Sequence, residues 1–126
     1  MNGAGAARLA LAVGVAALGL VAHNLMSLPL SPLAPETVGP VLVYAALLIW
    51  SVRSRLAAPS RLSLLAWTLL NLAVGGILTV LPLPFLPFVP EQTIAHYAAH
   101  VIYSVAQLPL LAILTRSGPA GADSRR

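Results

Sequence analysis

The sequence predicts an all-α fold, a four-helix transmembrane bundle made of two tandem helical hairpins, and three observations predict it. Hydrophobic residues make up 59% of the chain and charged residues 8%, whereas about a quarter of the residues in a soluble protein are charged. Four apolar runs come close to or exceed the roughly twenty residues needed to cross a hydrocarbon core of about 30 Å. The cations sort by position: Arg8, Arg53, Arg55, Arg61, Arg116, Arg125 and Arg126 fall at one set of ends, while the other two connectors hold Glu36 and Glu91 and no cation. Four spans with both termini in the cytoplasm satisfy every arginine. The net charge of +4 is therefore a topology signal, since the cations flank apolar runs instead of forming the basic surface of a nucleic-acid-binding protein. The chain has no cysteine, which excludes disulfides, thiolate metal sites and cysteine nucleophiles.

Taken in order, Met1 to Ala7 is a Gly/Ala-rich lead expected to lack structure, and Arg8 opens an apolar run reaching Leu28. That run is longer than the roughly 7–15-residue core of a secretory signal and lacks a cleavage site after it, so it reads as a retained helix. Its face Ala12, Ala16, Gly19, His23 and Ser27 is small or polar, the composition that lets helices approach closely in lipid. Pro29, Pro32 and Pro35 set an extended turn over Leu28 to Thr37, and a second span follows from about Val38 to Val52 or Leu56. Arg53, Arg55, Pro59 and Arg61 make a basic loop ahead of a third span, Leu62 to Leu81, whose face Thr68, Asn71, Gly75 and Thr79 is again small or polar. Leu81 to Pro90 is a proline-rich connector whose Phe85 and Phe88 are too apolar for an ordinary solvated loop, so it is expected along the interface or over the mouth of the bundle. The fourth span is expected to start at Glu91, with Pro109 bending it. Residues 1–115 thus form one domain, and 116–126 read as a disordered cytoplasmic tail.

A shift of 53 residues aligns the two halves, about 8–55 on 61–116. Arg8 meets Arg61, Leu28, Pro29 and Leu30 meet Leu81, Pro82 and Leu83, and Tyr44, Ala45 and Ala46 meet Tyr97, Ala98 and Ala99. Matches of Arg, Pro and Tyr in one register point to a duplicated hairpin. Two copies that each cross twice share one orientation, which disfavours an inverted-repeat transporter.

The last span carries most of the intramembrane polarity. Gln92, His96, His100, Tyr103 and Gln107 are spaced by four, four, three and four residues, one face of a helix, and the ladder is roughly 22 Å long at about 1.5 Å per residue. Lipid rejects such a face, so it is expected to look inward, onto the other helices or a narrow cavity, with Asn71 as a further member of any hydrogen-bonded track. Three readings compete for these residues. They bond across helix interfaces and fix which helices meet; they form a track for protons or a small polar solute; or His23, His96 and His100 hold a transition metal or haem, since two histidines one turn apart can share an ion and His23 lies at matching depth. No buried carboxylate is expected beside them. Ser27, Ser51, Ser63 and Ser104 have no base and oxyanion arrangement in view, so the chain reads as non-enzymatic. The favoured expectation is a small multi-pass protein of the plasma membrane, a helix-packing or accessory subunit or part of a small-solute pathway, with the lipid bilayer and a homo-oligomer or larger membrane complex as its partners.

Overall fold

A computed structural model describes residues 2–27, 31–54 and 57–116. It contains α1 (Gly3–Ser27), α2 (Pro35–Arg53), α3 (Ala57–Leu70) and α4 (Ile94–Arg116); α3 continues through a π-helical stretch, Asn71–Ile77, and a 3-10 turn, Leu78–Val80. The described residues form no strand. The four helices, counting Ala58–Val80 as one, are each long and apolar enough to cross a membrane. Of the expected tail 116–126, Arg116 is the last residue of α4; 117–126, with Arg125 and Arg126, lies outside the described residues, as do Pro29 and Arg55.

Each helix end has a local cause, and several differ from the sequence expectation. Residues 3–7 are helical because Asn2 Oδ1 accepts the Gly5 N–H at 2.9 Å and caps the first turn; the unstructured lead expected there is corrected. Pro35 stands in the first turn of α2, where a missing N–H costs nothing, so the second span starts earlier than Val38. Pro40 lies inside that helix and leaves the Glu36 carbonyl without its usual donor. Asn24 Nδ2 supplies the replacement at 3.2 Å. The third helix starts at Ala57, so Arg61 belongs to it and not to a loop. The fourth starts at Ile94 because Thr93 Oγ1 caps it by accepting the His96 N–H at 3.3 Å, and it runs through Pro109 unbroken.

The helices form a ring. α1 packs most broadly on α4, and α2 and α3 close the circuit, α2 touching α1 and α3 touching α4. At the α1–α4 crossing, Gly19 lies where any Cβ would meet the Ala106 Cβ, with Tyr103 O 3.6 Å away; only glycine permits this approach. The apolar core occupies the half nearer the arginines: Leu9, Ala12, Val13, Ala16, Tyr44, Leu64, Leu110 and Leu114. Polar side chains fill the other half. Leu11, Leu18, Leu42, Leu62 and Val101, each at least 60% exposed, form an outer surface abnormal in water and natural in hydrocarbon. Burial does not follow the 53-residue register: Tyr44 and Ser51 are buried, whereas their counterparts Tyr97 and Ser104 are exposed and half-buried.

Candidate functional site

The half of the bundle away from the arginines holds a cavity of about 310 Å³ between all four helices, lined by His23, Asn24, Asn71, Gly75, His96, His100 and Tyr103 among others, with the exposed Glu36 and Phe88 along its lining as well. Phe88 thus brings the proline-rich connector against the cavity, one of the two positions expected for it. Five of the predicted residues, His23, Asn71, His96, His100 and Tyr103, meet here. His96, His100, Tyr103 and Gln107 are all buried, so the polar face of α4 looks inward.

The π-helical stretch shapes one wall. Widening the helix here places Gly75 and Gly76 against α4: a Cβ on Gly75 would stand 2.7 Å from Tyr103 Cε1, and Gly76 O reaches His100 Nδ1 at 3.2 Å. Such π segments often sit at functional sites because they re-aim backbone groups. On the opposite wall Asn24 Oδ1 lies 3.0 Å from His23 Nδ1. The amide orientation of Asn24 is fixed, because its Nδ2 donates to the Glu36 carbonyl at 3.2 Å and to Thr37 Oγ1 at 3.0 Å.

These contacts assign the tautomers. Gly76 O and Asn24 Oδ1 are acceptors only, so both histidines carry a proton on Nδ1. Their Nε2 atoms face each other at 3.1 Å. In two neutral rings of this tautomer, both Nε2 atoms present bare lone pairs, which repel at that distance. A proton or a metal ion between them would relieve that repulsion. Two nitrogens bound to one ion at about 2.0–2.1 Å stand this far apart at an angle of roughly 100°. A histidine whose second nitrogen donates to a carbonyl is also the usual form of a metal-ligating imidazole.

His96 stands beside the pair, its ring centroid 4.6 Å from that of His100 and 6.5 Å from that of His23. Both of its nitrogens are buried without a hydrogen-bond partner, which costs about 1–3 kcal/mol for a group cut off from water. Among the described residues no three His, Asp or Glu side chains form a ready-made metal cage; the pair is preorganised and His96 is its unsatisfied neighbour. Haem fits this geometry poorly, because two axial imidazoles need about 4 Å between their nitrogens, at metal–nitrogen bonds of about 2 Å, with a macrocycle in between.

Two predicted members lie elsewhere. Gln92 precedes α4, is exposed, and bonds Tyr97 Oη and the carbonyls of Val80 and Pro90; its expected place on the inward face is corrected, because Thr93 starts the helix one residue after it. Gln107 sits deeper, accepting Tyr44 Oη–H at 2.6 Å and donating to Ala16 O at 3.2 Å. Tyr103 donates to Asn71 Oδ1 at 2.6 Å, and Asn71 Nδ2 donates to Trp67 O. Both chains of bonds end on backbone carbonyls, so they join helices and do not run on as a proton wire. Thr68 and Thr79 bond carbonyls of their own helix.

Sequence reasoning missed Asn24 and Glu36 on this cavity, and Tyr44 as the partner of Gln107 within the apolar half. Asn24 had a signal: Pro40 leaves one carbonyl in need of a donor, and Asn24 is the one amide on α1. Searched against known proteins, the chain matches no family model, no curated protein and no solved structure.

Proposed function

We propose that this small multi-pass membrane protein is non-enzymatic and binds a transition-metal cation between His23 and His100, with His96 as a further ligand. The observation that carries the reading is the pair of Nε2 atoms 3.1 Å apart, each ring held in the same tautomer by an acceptor behind it. Neutral imidazole favours Zn, Cu, Ni or Fe. Glu36 on the cavity lining supplies a negative charge where a cation arrives from the outer side. Gln107, Tyr44, Asn71 and Tyr103 act as the packing bonds that hold the walls.

The same reading places both termini in the cytoplasm of the plasma membrane, because Arg8, Arg61 and Arg116 line one cavity at a single end of the bundle. Its size and its exposed apolar surface suit a homo-oligomer or an accessory subunit of a larger membrane complex. The tandem-hairpin origin rests on the 53-residue register alone.

The experiment is metal titration of the purified chain in lipid nanodiscs. One Co²⁺ or Zn²⁺ per chain is expected at neutral pH, lost in His100→Ala and in His23→Ala, and released on acidification because protons compete for the same lone pairs. Absence of stoichiometric uptake overturns the metal reading and leaves a proton as the bridging charge.

A further inference from the structure

A second cavity lies at the opposite end of the bundle, with a volume of about 620 Å³. Arg8 from α1, Arg61 from α3 and Arg116 from α4 line it, together with Ser51 and Ser54 from the end of α2, so every helix contributes. The positive-inside rule accounts for cations at this end, but not for three guanidinium groups from three helices lining one hollow.

Two observations show what the hollow lacks. Among the described residues its lining holds no carboxylate, and the two acidic residues among them, Glu36 in the first turn of α2 and Glu91 in the connector before α4, lie at the other end. Ser51, 8% exposed, carries a buried hydroxyl with no hydrogen-bond partner. Its nearest helical option, a back-bond to the carbonyl four residues earlier, is not made. A hydroxyl cut off from water costs about 1–3 kcal/mol when it is left unpaired, and an acceptor oxygen in the cavity removes that cost. Arg61 is already positioned: its Nη2 donates to Ile113 O at 3.3 Å, engaging one of five guanidinium N–H groups.

We propose that this cavity binds a phosphate-type oxyanion, either the headgroup of an anionic phospholipid or free phosphate. Arginine is the residue whose planar fork matches phosphate oxygens two at a time, and Ser51 donates a further hydrogen bond. Basic pockets between transmembrane helices on the cytoplasmic side take lipid headgroups in this way. The remaining lining includes Leu9, Val52 and Ile113, an apolar wall on which the glycerol and first methylenes of a lipid can lie. The proposal is independent of the histidine site.

The test uses the full chain in nanodiscs. In one arm, discs of phosphatidylcholine with a minor fraction of phosphatidylglycerol are extracted gently, and native mass spectrometry counts retained lipid. In the other, inorganic phosphate is titrated into discs of phosphatidylcholine alone and followed by ³¹P NMR. The wild type is expected to retain the anionic lipid in the first arm, or to bind phosphate saturably in the second, which separates the two sources. Arg61→Lys with Arg116→Lys keeps the charge count, and so the insertion, but loses the fork; binding is expected to fall about tenfold, the equivalent of one charge-assisted hydrogen bond. Ser51→Ala is expected to weaken binding several-fold with helicity and topology unchanged. Saturable binding in neither arm, or equal binding by wild type, Ser51→Ala and the double lysine variant, overturns the proposal.

Discussion

Asn24 Oδ1 and the Gly76 carbonyl decide what His23 and His100 can do, since each keeps a proton on Nδ1 and turns a bare Nε2 into the cavity. Loss of such a partner from a metal-ligating histidine typically lowers affinity ten- to a hundredfold. Asn24→Ala is therefore expected to weaken metal binding by about that factor in the nanodisc titration while leaving all three histidines in place. The same variant strips the donor from the Glu36 carbonyl that Pro40 leaves open. Asn24→Ala is accordingly expected to destabilise the bundle less in a Pro40→Ala background than alone, a double-mutant cycle readable by thermal unfolding in detergent. Tyr44→Phe removes one cross-helix bond to Gln107 and is expected to cost about 1 kcal/mol in the same assay. Much of the residue-level picture was legible: His96, His100, Tyr103 and Gln107 share an inward face because spacing alone fixes a helical face. Asn24 was not, because the face of α1 was traced through its small residues and His23, and the need created by Pro40 shows only when α2 lies beside α1.

Element boundaries depended on single side chains. Asn2 extends α1 back to Gly3 and Thr93 delays α4 to Ile94, so Gln92 left the ladder although its sequence spacing was right. The π-helical stretch Asn71–Ile77 was illegible for a different reason. It changes the number of residues per turn without changing composition, and Gly75 and Gly76 read equally well as packing residues of an ordinary helix. The close α1–α4 crossing at Gly19 was foreseen in kind from the small face Ala12, Ala16 and Gly19. Gly19→Leu is expected to destabilise the protein by about 1–3 kcal/mol, because the new side chain displaces Ala106 or forces the helices apart. Unchanged thermal stability of that variant in lipid would show that the crossing is looser than described.

For the whole molecule, class and span number were the most legible features, since bilayer thickness and the cost of burying charge constrain length and polarity directly. The sidedness of the two cavities extends that logic. Among the described residues, one end carries arginines around a hollow lined by no carboxylate, and the other carries imidazoles with a carboxylate on the cavity lining. Tags on both termini are expected to be protected from an impermeant label in intact cells, with a cysteine placed at Glu36 labelled; the reverse pattern would invert the bundle. The most direct measurement of the central claim is X-ray absorption on the cobalt- or zinc-loaded chain in lipid. The expected spectrum has a first shell of two or three imidazole nitrogens at about 2.0–2.1 Å, reduced in His100→Ala. A first shell of oxygen alone, or one unchanged by that substitution, would contradict a metal held between His23 and His100.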